Sequence, residues 1–260
     1  MGVQPRVLSC SIPMTTTPKI LGVIPARYNS SRLPGKALRE IAGRPMIHWV
    51  YENAKRSPLL TDLVVATDSP EIQASCEAGG IPVFLTGEHP SGTDRVHEVL
   101  TKTDADIYVN IQGDEPTLRP DHLDLMLRPF TDGSGAQVTT LRVAISAAEA
   151  ADPNNVKVVT ADSGNALYFS RYPLPYDRAG TGQVQHFKHI GLYAYTREAL
   201  VQYHQWPQST LELSESLDQL RFLQNGVPIY VAETPHDTVG VDTEADLQLV
   251  IALFTPTNSA

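Results

Sequence analysis

The chain has 260 residues, 42% of them apolar and 19% charged, with a formal net charge of −9. That length and apolar content support a sizeable core, which excludes disorder as the main state and argues against a coiled coil. The acidic balance is the wrong sign for a non-specific nucleic-acid binder, and no apolar run reaches the ~18–20 residues of a membrane helix.

Residues 1–18 (MGVQPRVLSCSIPMTTTP) lack the apolar stretch of a secretory signal, and Arg6 stands where a myristoylation signal needs Ser or Thr. This stretch is expected to be a flexible tail, with Met14 an alternative start. With no targeting signal, the cytoplasm is the expected compartment. Cys10 and Cys76 form neither a disulfide framework nor a zinc-ligand spacing, which fits a reducing compartment.

From residue 19 onward, strands and helices alternate. Ile20–Ala26 is a short apolar run, read as a buried strand. Pro45–Arg56 has helical spacing, Leu63–Thr67 is strand, and Pro70–Ala78 is a helix stopped by Gly79-Gly80. Strand Val83–Thr86, helix Thr93–Leu100 and strand Ile107–Gln112 follow, then helix Asp121–Leu127 with Pro120 at its start. Such a series implies a doubly wound, mostly parallel sheet covered on both faces. The pattern then changes. Ala136–Ile145, Val156–Thr160, Ala166–Ser170 and His189–Tyr195 read as strands with little helix between them, a β-rich insertion over about 136–195. Ser214–Gln224 is expected to be one helix, Ile229–Glu233 a strand and Thr243–Phe254 a final amphipathic helix. The organisation predicted is one domain over 19–254, with 255–260 as a C-terminal tail.

Charge is concentrated after the first strand. Residues 19–44 carry six basic side chains and one acid, on a protein otherwise rich in acid. The loop Arg27–Lys36 (RYNSSRLPGK) lies where a parallel sheet places its ligands, beyond the carboxyl end of a strand. Its main-chain N–H groups, hydroxyls, Arg and Lys suit phosphate. It is not a Walker A loop, since positions 30 and 37 are Ser30 and Ala37, and no GxGxxG marks a nicotinamide site.

Asp114, in Asn110-Ile111-Gln112-Gly113-Asp114-Glu115-Pro116, follows a strand and a glycine, so it stands at the same sheet edge. A carboxylate opposite a phosphate loop is a natural Mg²⁺ ligand, and a simple turn is the alternative. Asp242 precedes the last helix, where an Asp makes a good N-cap, and spacing does not decide between that cap and a metal ligand. His189 and Tyr193 lie four apart on a strand and share a face. With Arg171 they offer a site for an acidic substrate, although a lone His is more often a hydrogen-bonded structural residue. No GxSxG elbow points to covalent catalysis.

Taken in order, these motifs resemble the 3-deoxy-manno-octulosonate (Kdo) cytidylyltransferases, also called CMP-Kdo synthetases, over about residues 19–250. The matching segments are Ile24–Lys36, Val65–Asp68, Ser91–Arg95, Asn110–Pro116, Val156–Val159, Ala166–Arg171, His189–Tyr193, Leu217–Arg221 and Gly240–Thr243. The resemblance implies a Rossmann-like nucleotidyltransferase fold, usually homodimeric through the β-rich insertion, serving lipopolysaccharide synthesis. It implies that CTP and Kdo give CMP-Kdo and diphosphate with Mg²⁺, with neither nucleic acid nor membrane as partner. Implied for CTP are Pro25, Ala26, Arg27, Ser30, Arg32, Lys36, Ser91, Gly92, Thr93 and Gln112. Arg171, His189, Tyr193 and Gln219 fall on the sugar-acid side. Asp114 and Asp242 match the metal-binding aspartates and, with Lys36, the catalytic set. Ala37 departs from the family's usual Pro, and Asp218 from its usual Glu. Acceptors other than Kdo within the resemblance are its 8-amino analogue and sialic acid. A catalytically silent nucleotide-binding protein is the reading from another class, against which Lys36, Asp114 and Asp242 together weigh.

Overall fold

The computed structural model describes residues 17–29 and 32–255. The expected tail therefore lies almost wholly outside the described residues, as does Ser30, and so do residues 256–260 of the expected C-terminal tail.

Strand β1 (Ile20–Ala26) leads through a loop and a 3-10 turn (Lys36–Leu38) to a two-stranded ribbon, β2 (Glu40–Ile41) and β3 (Arg44–Pro45). Then follow α1 (Met46–Ala54), β4 (Asp62–Thr67), α2 (Pro70–Ala78), β5 (Val83–Leu85), α3 (Gly92–Lys102), β6 (Ile107–Asn110) and α4 (Pro120–Thr131). The second half holds β7 (Val138–Ile145), α5 (Ala147–Ala150), β8 (Lys157–Thr160), β9 (Ala166–Ser170), β10 (His186–Thr196), α6 (Arg197–Gln205), α7 (Thr210–Glu215), α8 (Leu220–Gln224), β11 (Ile229–Glu233) and α9 (Glu244–Phe254).

The main sheet runs β11-β7-β10-β6-β1-β4-β5, with β8 branching from β10 and β9 pairing β8. β4 and β6 flank β1 in parallel, and β5 extends β4 in parallel. The chain winds outward from β1 to β4 and β5, then crosses back to lay β6 on the other side of β1. Loops leaving the carboxyl ends of β1 and β6 therefore diverge and open a crevice, the ligand position of a doubly wound sheet. β10 is antiparallel to both β6 and β7, while β11 is parallel to β7. The sheet is thus mixed, and it is parallel where the crevice lies. Within 136–195, β7 and β10 run through the main sheet, and the β8–β9 pair stands at its margin.

Alternation along β1 buries both faces. Ile24 packs with Ile47, Val50 and Leu123 on one side, and Val23 packs with Val96, Val99 and Tyr108 on the other. A third cluster brings the C-terminal helix to the first loop, as Leu247 and Val250 of α9 pack with Leu33, Ile41, Met46 and Val241. This small core carries Asp242 to the crevice.

One expectation is corrected, and one helix is added. The single helix expected over Ser214–Gln224 is two short ones, α7 and α8. Ser209 and Glu212 form a capping box that starts α7 early, and Ser216 ends it at a left-handed φ of 53°. Helix α6, not anticipated from the sequence, is capped by Thr196 and buries Ala199, Leu200 and Tyr203.

Candidate active site

Pro25, Ala26, Arg27, Lys36, Ser91, Gly92, Gln112 and Asp114, all singled out by sequence, line one cleft at the switch between β1 and β6. Two glycines shape it. A Cβ on Gly113 would lie 2.8 Å from the Pro25 carbonyl oxygen, so only glycine lets the loop after β6 lie against the end of β1. Gly35 has φ 65°, and its N–H closes the basic loop on the Tyr28 carbonyl at 2.9 Å. Ser91 caps α3, its hydroxyl oxygen accepting from the Asp94 N–H at 3.0 Å. Thr93 is buried, and its hydroxyl donates to Asp218 Oδ2 at 2.9 Å.

Lys36 stands between the two expected metal carboxylates. Its Nζ donates to Asp114 Oδ2, to Asp242 Oδ1 at 3.0 Å and to the Val241 carbonyl at 3.3 Å. Arg32 donates to the other Asp242 oxygen, Oδ2, at 2.8 Å. The two aspartate loops are joined through main chain, Val241 N–H to Asp114 O at 2.8 Å. Burial alone would lower the Lys36 pKa, but Asp114 and Asp242 outweigh it and hold the ammonium above its ordinary value. Asp242 is not the helix cap that its position allowed. Thr243 caps α9, with Asp246 returning the bond in a capping box, so the Asp242 carboxylate faces the basic loop instead.

Among the described residues no three His, Cys, Asp or Glu side chains cluster as a metal cage. The donor set nonetheless suits Mg²⁺. Two hard carboxylate oxygens converge on one cation, Lys36 Nζ, and Mg²⁺ is ordinarily held by one or two carboxylates with substrate phosphates completing its shell.

On the other side of β6, His189 and Tyr193 share a face of β10, as their spacing implied, with ring centroids 5.2 Å apart. Tyr193 lies opposite Asn110 in the ladder. The Tyr193 hydroxyl and Asn110 Oδ1 are both buried without a hydrogen-bond partner among the described residues. Buried orphans of this kind mark a place for a polar ligand or water. His189 is not the chargeable group its sequence position allowed. Burial, then the neighbouring Lys188, push its pKa down to about 3. The Thr140 hydroxyl donates to the Leu192 carbonyl at 2.7 Å, so its oxygen accepts from His189 Nε2–H at 2.9 Å. His189 is therefore a neutral imidazole with Nδ1 as acceptor.

Gln219 is buried at the start of α8. Arg171 is engaged with main chain, donating from Nε to Glu215 O at 2.8 Å, from Nη1 to Pro153 O at 3.1 Å and from Nη2 to Ser216 O at 3.4 Å. The structure thus joins Arg171 to the turn that leads to Asp218 and Gln219.

Arg95 and His89 also line the cleft and were not singled out as site residues. Arg95 is buried, pairs with Asp68 Oδ1 at 3.1 Å and donates to the Gly87 carbonyl at 3.2 Å. A basic residue beside Val96, on the apolar face of α3, was its one local signal. His89 meets Glu98 at 2.7 Å through a loop that has no periodicity. No described helix is long and apolar enough to cross a membrane.

The family model for cytidylyltransferases matches residues 21–230. A 3-deoxy-manno-octulosonate cytidylyltransferase of Koribacter versatilis is 52% identical over 255 residues, covering 95% of this chain and 97% of that protein. The Escherichia coli protein of the same name is 48% identical, with coverage of 91% and 96%. A solved CMP:2-keto-3-deoxy-manno-octonic acid synthetase complexed with CTP superposes with a TM-score of 0.87 at 48% identity, over 90% of this chain and 98% of that one. At 13% identity and a TM-score of 0.59, the 4-diphosphocytidyl-2C-methyl-D-erythritol synthase of Anaerococcus prevotii shares the fold alone, over 91% of this chain and 96% of that one. With a mixed α/β sheet opening at its switch point and a basic loop facing two aspartates there, the chain belongs to the 3-deoxy-manno-octulosonate cytidylyltransferase family.

Proposed function

We infer that this chain is a nucleotidyltransferase that moves the cytidylyl group of CTP onto Kdo, giving CMP-Kdo and diphosphate for lipopolysaccharide synthesis. The observation that carries the chemistry is the convergence of Lys36, Asp114 and Asp242 at the mouth of a cleft walled by the basic loop.

The anomeric hydroxyl oxygen of Kdo forms a bond to the α-phosphorus of CTP in line and gives up its proton to solvent water, while the bond from that phosphorus to the bridging oxygen breaks and diphosphate leaves. Such transfers depend on positioning and charge neutralisation more than on covalent chemistry, and no protein nucleophile is needed. Asp114 and Asp242 would hold Mg²⁺, which supplies neutralisation of phosphate charge and acidifies the attacking hydroxyl. Lys36 neutralises the departing diphosphate. Arg27, exposed and making one long contact of 3.5 Å to Pro90 O, is available to the same phosphates. The Ser91–Gly92 turn, Ala26 and Gln112 frame the nucleoside. Tyr193 offers a hydroxyl, and His189 a neutral acceptor, to the sugar acid. Arg171, from the margin of this site, supports the carboxylate side.

We propose a homodimer as the working form. β9 is an edge strand, and Leu167, Tyr172 and Tyr176 on and just after it are exposed by 63%, 72% and 77%. Among the described residues β9 pairs in a ladder only with β8, and an edge bearing large apolar side chains calls for cover, which a second copy supplies. The cytoplasm, where CTP is available, is the compartment we propose.

Diphosphate release from CTP, with and without Mg²⁺, against Kdo, its 8-amino analogue and sialic acid, tests the reading. Mg²⁺-dependent release with Kdo as preferred acceptor is expected. Preference for sialic acid, or no release with any acceptor, refutes it.

A further inference from the structure

We propose that Lys36 is a removable plug in the divalent-cation site, and that the nucleotide's polyphosphate opens the site by drawing the ammonium away. The proposal rests on reading Asp114 and Asp242 as the metal's ligands. Nζ has three N–H donors, and Asp114 Oδ2, Asp242 Oδ1 and the Val241 carbonyl take one each. The ammonium is therefore saturated at the point where the two carboxylates converge. A divalent ion and an ammonium cannot share that point, because both need the same lone pairs and they repel each other. Arg32 occupies the remaining favourable face of Asp242 through Oδ2 at 2.8 Å. Both carboxylates are thus already neutralised before any metal arrives.

Lys36 also belongs to the loop read as the phosphate cradle, following Gly35 at its left-handed turn. Its flexible four-carbon stem gives the ammonium two destinations, the carboxylates or a phosphate group. A bound polyphosphate competes for it, frees Asp114 Oδ2 and Asp242 Oδ1, and leaves the carboxylate pair with a net negative charge for the cation even with Arg32 still on Asp242 Oδ2. Binding of nucleotide and metal is then mutually reinforcing, by the same factor in both directions.

The test is Mn²⁺ titration of nucleotide-free protein, following free Mn²⁺ by electron paramagnetic resonance, with circular dichroism as the folding check. Wild type should bind Mn²⁺ weakly. Lys36→Met should bind it at least about tenfold more tightly, the scale of one charge-assisted contact removed as competitor. Lys36→Gln, which keeps a polar group there, serves if the methionine variant misfolds. Lys36→Arg should stay weak, because a guanidinium still fills the site. Adding Asp242→Asn to Lys36→Met should abolish the gain. Equal Mn²⁺ affinity in wild type and the folded Lys36 variant overturns the plug, and so does a gain that survives loss of the carboxylate. Failure of the underlying metal reading has a different signature, which is full Mg²⁺-dependent turnover by Asp114→Asn.

Discussion

Replacing Arg171 by alanine should separate the two substrates kinetically and soften the molecule at the same time. The guanidinium joins three segments. It reaches Pro153 before β8, it extends from the end of β9, and it holds the Glu215 and Ser216 carbonyls at the end of α7. The contacts at 2.8 and 3.1 Å are full hydrogen bonds, whereas that at 3.4 Å is long and contributes little. With partial exposure, two such bonds are together worth about 2–3 kcal/mol, which lowers the melting temperature by roughly 4–12 °C in a protein of this size. The same turn continues to Asp218, bonded to Thr93, and to buried Gln219, so its loosening falls on the sugar-acid side. KM for Kdo should rise on the order of 10- to 150-fold, the cost of one charge-assisted bond, while KM for CTP changes little. Steady-state kinetics with each substrate varied in turn, and thermal denaturation followed by circular dichroism, measure both. Equal effects on the two KM values, or an unchanged Kdo KM beside a lowered melting temperature, would refute a sugar-acid role for Arg171.

Asp242→Asn should remove most turnover with little change in melting temperature, since Thr243 rather than Asp242 caps α9; normal turnover with early melting would reverse the assignment. Gly113→Ala should cost about 1–3 kcal/mol and most activity, because the added Cβ would sit 2.8 Å from Pro25 O and push the Asp114 loop off β1; a variant with wild-type melting and kinetics would refute the close approach. Glu212 resists ionisation through burial, yet its bonds from Arg221 prevail and hold its pKa below 4.5. A carboxyl with a lowered folded-state pKa stabilises above its unfolded value and loses that contribution as the pH falls through the folded one. The wild-type melting temperature should therefore drop more steeply below about pH 4.5 than that of Glu212→Gln, and parallel pH profiles would contradict this. Light scattering at micromolar concentration should report twice the chain mass of 28.4 kDa, and a clean monomer would remove the dimer.

Local chemistry was enough for the parts of the molecule that depend on near neighbours in sequence. Strands β1, β9 and β11 and helix α2 lie where apolar runs and their punctuation put them, α2 for instance between the Ser69 cap with Pro70 and the Gly79-Gly80 stop. The position of Asp114 at the sheet edge was also readable, because a parallel series has one ligand end and a residue just past its strand must be there.

What the sequence could not decide was which distant residues share a point. Lys36 and Asp242 are 206 residues apart, and they meet because the apolar face of α9 docks on Leu33, Ile41 and Met46. The same holds for the break at Ser216, the inclusion of β7 and β10 in the main sheet, and the partners of Arg171. Spacing left open whether His189 is a chargeable substrate group or a hydrogen-bonded structural residue. His189 is neutral because β10 lies inside the sheet, with Phe169 against its ring and Thr140 on its nitrogen. Periodicity and caps are set by interactions a few residues long. Burial, pairing and charge state are set by which surfaces the folded chain removes from water together, and only the tertiary structure decides that.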